Sequence, residues 1–158
     1  ERKKMIKVLF VCHGNVCRSP MAEFLLKEMV KKAGLADKFQ IASAATSREE
    51  IGNPVHYGTR NKLEPLGIST KGKTAVQMTK KDYDYYDYII IMDENNRRNA
   101  LRLLGKTQAP KLYSLLDFTS RPGDIADPWY TGDFDKTFDD IDRGCRGFLR
   151  YLKEEGKI

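Results

Sequence analysis

Met5-Ile6-Lys7-Val8-Leu9-Phe10-Val11-Cys12-His13-Gly14-Asn15-Val16-Cys17-Arg18-Ser19-Pro20 is the stretch that decides how this chain folds. Met5 to Val11 is short, apolar and rich in β-branched residues, which predicts a strand buried on both faces. A tight polar loop follows, Cys12 to Arg18. Ser19 then reads as the N-cap of a helix and Pro20 as its first residue. Ala22, Leu25, Leu26, Met29, Val30 and Ala33 recur at helical spacing on one face, and Gly34 ends the helix.

The pattern repeats along the chain. Phe39 to Ala45 predicts a second strand, and Pro54 to Leu66 a helix shortened by Pro65 and stopped by Gly67. Tyr86 to Met92 is a strongly apolar third strand, followed by a helix from Glu94 to Leu104 that ends at Gly105. Lys111 to Ser114 is a short fourth strand. Leu115 to Gly132 reads as a long loop. A last helix runs from Asp135 to Glu155, with Phe138, Ile141, Cys145, Phe148, Leu149 and Leu152 inward. Strands alternating with helices imply an α/β fold, a parallel sheet with helices on both faces. Ligands of such sheets bind outside the carboxyl ends of the strands. Cys12 sits just past one such end.

Bulk properties narrow the class. A chain of 158 residues suggests one domain with a real core. No linker, repeat or low-complexity tract interrupts it. The first residue is Glu1 rather than Met, which suggests trimming or a short scar ahead of Met5. The apolar run Val8 to Val11 is too short for a signal-peptide core, and nothing is long enough to span a membrane. Three cysteines, an odd number, argue against a secreted disulfide framework. The expectation is a cytoplasmic protein with free thiols.

The net charge of +6 is uneven. Between Asp117 and Asp142, eight aspartates (117, 124, 127, 133, 135, 139, 140 and 142) face only Arg121 and Lys136. The rest of the chain is strongly basic. That balance suits nucleic acid, but equally an anionic substrate such as a phosphate ester.

The loop Cys12 to Arg18 distinguishes these. A loop wrapped before a helix N-terminus aims backbone N–H groups inward and makes an anion nest. Gly14 lets the backbone approach a ligand without a Cβ in the way. Arg18 can grip two phosphate oxygens with its planar fork, which a lysine cannot. Ser19 can donate a hydrogen bond to a thiolate. The thiolate, not the thiol, is the nucleophile, and helix N-termini and nearby cations favour it. One loop thus binds phosphate and makes a nucleophile of Cys12. The bland alternative, a structural thiol at a strand end, leaves Gly14, Arg18, Ser19 and Pro20 without a reason. Cys12, Cys17 and Cys145 with His13 and His56 lack the paired spacing of a zinc site.

The run Val11 to Pro20 resembles the signature of the low-molecular-weight protein tyrosine phosphatases. The resemblance continues through Ser43-Ala44-Ala45-Thr46, Ile51-Gly52-Asn53-Pro54, Met92-Asp93 and Asp127-Pro128-Trp129-Tyr130, nearly the whole chain. It implies a single three-layer αβα domain over residues 1–158 with a four-stranded parallel sheet and no metal or cofactor. It implies Cys12 as nucleophile, Arg18 as phosphate ligand and Asp127 as general acid. The expected substrates are phosphotyrosine proteins or peptides and small aryl phosphates, with inorganic phosphate as product, and neither nucleic acid nor membrane as partner.

The chemistry separately asks for a group such as Asp127. A leaving aryl oxide needs a proton, and water attacking a phosphocysteine needs a base. Pro128 restricts Asp127 to extended backbone. Trp129 and Tyr130 can wall a slot for a flat ring. His13, Gly14, Asn15, Val16, Cys17 and Ser19 complete the expected substrate contacts, His13 at the pocket rim and Asn15 bonded to Ser43. Cys17 reads equally as a packing residue or as a reversible disulfide partner of Cys12. Cys145 reads as core and His56 as surface.

Departures from the family pattern bear on the tuning of Cys12 and Ser19, not on the nucleophile itself. Lys73 stands where much of the family has a His, and Val76 where it has an Arg. No cysteine lies between Cys17 and Cys145, against the arsenate reductases of the family. Val16 stands where a phosphoarginine-directed branch has Thr, which favours phosphotyrosine.

A rival motif is Gly67-Ile68-Ser69-Thr70-Lys71-Gly72-Lys73-Thr74. It fits the nucleotide-binding pattern G-x-x-x-x-G-K-[ST], with Ile89 to Asp93 as an apolar strand ending in a magnesium-binding acid. An ATPase or kinase would follow. Such a loop should come after a buried strand, whereas Pro54 to Leu66 reads as a helix. A nonenzymatic nucleic-acid binder is the third class, with no fingerprint in its favour.

Overall fold

A computed structural model describes residues 4–158. Four strands, β1 (Ile6–Cys12), β2 (Phe39–Ala45), β3 (Tyr88–Ile91) and β4 (Leu112–Ser114), form one sheet in the order β2-β1-β3-β4. All pairs are parallel. Register runs from Ile6 opposite Phe39 to Cys12 opposite Ala45, and from Val8 opposite Tyr88 to Val11 opposite Ile91.

Helices cover both faces: α1 (Arg18–Lys32), α2 (Tyr57–Leu63), α3 (Lys80–Tyr85), α4 (Glu94–Leu104), α5 (Pro128–Thr131) and α6 (Phe134–Glu154). Alternation along β1 divides the core. Val8, Phe10 and Cys12 pack with Met21, Leu25 and Leu26 of α1 and Ile141, Phe148 and Leu152 of α6. Leu9 and Val11 turn to the other face, against Tyr83 of α3 and Ala100 and Leu104 of α4. Each such large side chain, fully buried, contributes about 1.5–3 kcal/mol. A strand serving two cores must be apolar where it is buried, and for that reason β1 shows no polar alternation from Val8 to Cys12.

Several predicted boundaries are corrected. α1 starts at Arg18, with Cys17 in the cap position, so Ser19 is not the N-cap. Its hydroxyl is taken up by Cys12 and Asn15 instead. The predicted helix Pro54–Leu66 is a seven-residue α-helix and a 3-10 turn over Glu64–Leu66. Pro54 instead bridges to Thr74 in extended backbone. Residues 86 and 87, read as strand, follow α3, which the sequence reading missed. The long loop holds a 3-10 turn, Leu115–Phe118, and α5. Ala33 is exposed rather than inward.

The rival motif is overturned by its setting. Gly67 is the left-handed end of the 3-10 turn, at φ +77°, and the element immediately before it is that turn and not a strand. The Lys73 ammonium turns inward to the Ser43 carbonyl, 2.9 Å away, rather than over an open phosphate cradle.

Candidate active site

The sheet order places β1 between β2 and β3, so the chain leaves the central strand to one side and later returns on the other. The crevice at such a switch point is where open α/β sheets bind ligands. Here the loop after β1 carries Cys12 to Arg18. The residue two beyond the end of β3 is Asp93, and the end of β2 supplies Ser43 to Ala45.

Cys12 is 3% exposed. Its Sγ accepts the backbone N–H of Asn15 at 3.3 Å and of Ser19 at 3.4 Å, and meets Ser19 Oγ at 3.0 Å. A chain of hydrogen bonds backs this contact. Asn15 Nδ2 donates to Ser19 Oγ at 2.7 Å and to Ser43 Oγ at 2.9 Å. Cys12 Sγ is the acceptor within reach of the Ser19 hydroxyl, so beside a thiolate its proton points at the sulfur. Ser43 in turn donates to Glu23 Oε1 at 2.5 Å. Asn15 thus donates both ways along the row, toward the buried Glu23 carboxylate through Ser43 and toward the sulfur through Ser19, where the end facing Cys12 suits a thiolate. Asn15 Oδ1 accepts the N–H of Val76 at 3.2 Å, anchoring the loop to the segment after Lys73.

Lys73 closes the far end of this network. Its Nζ binds the Ser43 carbonyl and lies 3.9 Å from Glu23 Oε1. Burial lowers its pKa from the ordinary lysine value, against the opposing pull of Glu23. Lys27 Nζ holds the other Glu23 oxygen at 2.6 Å. The departure at position 73 thus keeps a cation at the base of the loop. At position 76 only the backbone serves the loop, and the Val76 side chain is exposed.

Arg18 is 2% exposed and held in one pose. Nη1 donates to Asp93 Oδ2 at 2.6 Å and to the Ile125 carbonyl at 2.9 Å, and Nη2 donates to Asp127 Oδ2 at 3.3 Å. Burial works against the charged guanidinium. Cys12, Asp93 and Asp127 outweigh it and hold its pKa above the ordinary arginine value. Nε is buried without a partner. The backbone amides of Gly14, Val16, Cys17 and Arg18 also have no acceptor among the described residues. Orphaned donors around one sulfur mark a site built for an oxyanion.

Asp127 caps α5, its Oδ1 accepting the N–H of Trp129 at 3.0 Å. A slot of about 80 Å³ opens above Cys12. Its floor is Cys12, Gly14, Val16 and Cys17, and its walls are His13, Glu49, Glu50, Asp127, Trp129 and Tyr130. Trp129 and Tyr130 are 53% and 81% exposed, free to cover a ring. His13 Nε2 lies 3.1 Å from Glu49. A much larger cavity, about 820 Å³, lies between α1 and α6 and contains none of these groups. Chemistry rather than size singles out the slot.

The expected contacts therefore separate into two layers. Cys12, His13, Gly14, Val16, Cys17, Asp127, Trp129 and Tyr130 meet at the slot. Asn15 and Ser19, 1% and 0% exposed, lie beneath the sulfur, and Arg18 lies behind it. Cys12, Cys17 and Cys145 are buried free thiols. Burial, then the charges of Cys12 and Asp127, push the Cys17 thiol up to about 12. Cys145 sits in the core as expected. His56 does not lie free on the surface: its ring stacks on Tyr57 and Phe134 and meets Trp129 edge-on. Among the described residues no group of three or more His, Cys, Asp or Glu could hold a metal ion.

Three contributors escaped the sequence reading. Asp93 both caps α4 through Asn96 N and clamps Arg18. Its signal was available, an acid just past the carboxyl end of an apolar strand. Glu23 and the carbonyl of Ile125 gave none, since a charged residue on α1 and a loop carbonyl look like any others.

Comparison with known proteins agrees with the geometry. The family model described as low molecular weight phosphotyrosine protein phosphatase matches residues 7–158. The low molecular weight protein-tyrosine-phosphatase YfkJ of Bacillus subtilis is 40% identical over 156 residues, 98% of this chain and 100% of that protein. The human low molecular weight phosphotyrosine protein phosphatase is 37% identical over 147 residues, 90% of this chain and 92% of its own. The crystal structure of YfkJ superposes with a TM-score of 0.93 at 39% identity, covering 98% of this chain and 99% of that one. That of SP-PTP from Streptococcus pyogenes gives 0.84 at 41% identity, with 94% and 93% covered. With the orphaned oxyanion donors, the buried sulfur and Asp127 gathered at one slot, this chain belongs to the low-molecular-weight phosphotyrosine protein phosphatases.

Proposed function

We propose that the protein hydrolyses phosphotyrosine and aryl phosphomonoesters through a phosphocysteine on Cys12. The observation that carries this reading is the buried Cys12 sulfur at the floor of a narrow slot, ringed by unpaired donors. The phosphoryl group sits in the nest of loop amides, with Arg18 Nε and Nη2 on two of its oxygens. Taking Nη2 displaces Asp127 from the guanidinium and leaves its carboxyl group for the bridging oxygen. Cys12 Sγ attacks phosphorus, the P–O bond to the leaving group breaks, and Asp127 protonates the departing oxygen. Water then attacks the phosphocysteine and gives its proton to Asp127. The S–P bond breaks, releasing inorganic phosphate and the thiolate.

Asp93 acts through Arg18, holding one edge of its fork so that the other faces the slot. Asn15 and Ser19 act through Cys12. The aromatic walls support an aryl ester, because Trp129 and Tyr130 stand beside the slot over a sulfur that is 3% exposed. Trp129 and Tyr130 flank the ring. The protein itself supplies nucleophile, cation and acid for both steps. Among the described residues no helix is long and apolar enough to cross a membrane. The three buried free thiols support a reducing compartment such as the cytoplasm. We place the whole chain, residues 1–158, in one catalytic domain.

Trapping tests the nucleophile. Turnover of an aryl phosphate, quenched in acid, is expected to leave phosphate on Cys12, and Cys12→Ser to abolish hydrolysis. Phosphate on any other residue overturns the assignment. Asp127→Ala is expected to slow kcat about 10²–10⁴-fold for poor leaving groups and far less for good ones. Equal slowing across leaving groups removes Asp127 as the acid.

A further inference from the structure

His13 stands between three cavities. One is the slot over Cys12. The second, about 440 Å³, is a recess shared by His13, Arg18, Asp93, Asn99, Asp127 and Tyr130. The third, about 280 Å³, is a groove lined by His13, Thr46, Ser47, Asn99, Arg102 and Leu103. Recess and groove share Asn99 as well as His13. A trough therefore leaves the slot, crosses His13 and passes between the segment after β2 and the last turns of α4.

The groove differs in charge from the slot it adjoins. Glu49 and Glu50 stand on the slot wall. No carboxylate lines the groove, whose one full cation is Arg102. Arg102 Nη1 is steadied by Asn99 Oδ1 at 3.1 Å, which leaves the rest of its fork open. Glu49 is held by His13 and does not reach across. A second observation is independent of the arginine. Thr46 lines this groove and is 7% exposed, and its Oγ1 is buried behind the surface without a partner among the described residues. Buried polar atoms left unpaired are rare, and each calls for a reason. A bound acceptor is one.

We propose that this groove receives the acidic side chain of a residue flanking phosphotyrosine, with Arg102 pairing its carboxylate. The Ser47 hydroxyl donates to it, the Thr46 hydroxyl joins by turning about χ1, and Leu103 packs on its methylenes. The inference rests on the phosphotyrosine reading and adds to it a class of peptide, acidic beside the phosphorylated residue. Arg102 lies outside the catalytic machinery, exposed on α4, so its replacement leaves fold and chemistry intact.

The test compares kcat/KM for free phosphotyrosine and for two phosphotyrosine peptides, one with glutamates beside the phosphotyrosine and one with glutamines there. The wild-type protein is expected to prefer the glutamate peptide roughly fivefold, the scale of a partly exposed ion pair. Arg102→Ala is expected to erase the preference while free phosphotyrosine turns over within about twofold of wild type, and Arg102→Glu to reverse it. Thr46→Val is expected to weaken the preference without loss of stability. A wild-type protein that hydrolyses all three substrates with no preference, or a preference that survives both arginine variants, overturns the groove and leaves the phosphatase intact. Failure to hydrolyse free phosphotyrosine instead sinks the reading on which the groove depends.

Discussion

Asn15 shows how one residue combines conformation with bonding. Its φ of +59° is the sole positive value outside glycine among the described residues. Left-handed backbone costs a residue with a Cβ about 1–2 kcal/mol, and asparagine bears it more readily than most. That backbone turns the Asn15 N–H onto Cys12, while the side chain serves Ser19, Ser43 and Val76 at once. Asn15→Ala loses the side-chain bonds and adds left-handed strain, whereas Asn15→Gly loses the bonds alone. Both are expected to lose activity to a similar degree, with Asn15→Gly the more stable by about 1 kcal/mol in urea unfolding. Equal stability would mean that the left-handed turn is not strained. At this scale Cys12, Arg18 and Asp127 could be singled out from the sequence because the proposed chemistry restricts residue type. Glu23 could not, because a carboxylate four hydrogen bonds along the row from the sulfur leaves no local mark.

Close approach between elements accounts for two glycines inside α6. A Cβ at Gly144 would lie 2.4 Å from Leu115 Cγ, and one at Gly147 would lie 2.4 Å from the Phe118 carbonyl oxygen. The first neighbour is a side chain that can turn, while the second is backbone of the 3-10 turn after β4. Helix propensity alone predicts that Gly147→Ala stabilises by about 1 kcal/mol. Contact with backbone predicts the reverse, a net loss of about 1–3 kcal/mol by chemical denaturation, because α6 must move off the turn. A more stable variant would show that the turn yields freely. The same competition between local preference and packing explains which elements could be read. β1, α1, α4 and α6 carry long apolar patterns or clear stops and were legible to within two residues. α3 was missed because Lys-Lys-Asp-Tyr-Asp-Tyr has little apolar periodicity. Its start is fixed by Thr79, whose hydroxyl accepts the N–H of Asp82 in a reciprocal cap.

Across the whole molecule, sheet order brings together groups far apart in sequence, and order was the part least open to reading. A strand buried on both faces carries no signal of which neighbour lies on which side. The site was still locatable, since any parallel order leaves the loop after β1 at the carboxyl edge. Less visible was the junction at His56, where four segments meet. Its N–H binds the Val16 carbonyl at 2.8 Å, and its Nδ1 accepts the N–H of Gly58 at 3.0 Å. Its ring packs on Phe134 of α6 and Trp129 of α5. An acceptor Nδ1 needs a ring that carries no proton there. Burial, then Arg60, lower the His56 pKa from 6.5, against an opposing pull from Glu50. The folded state thus binds the proton less readily than the unfolded chain. The contribution of His56 is complete above 6.5, declines as pH falls through that value, and levels off below the folded pKa. Asparagine at the same position keeps a cap acceptor without titrating. The stability gap between wild type and His56→Asn, from urea unfolding, is expected to narrow between about pH 7.5 and about pH 5, because only the wild type loses stability through this ring. Under the same acidification Trp129 fluorescence is expected to shift in the wild type and hold steady in the variant. A gap that stays constant would show that protonation leaves the contact between α2 and the loop of Val16 untouched.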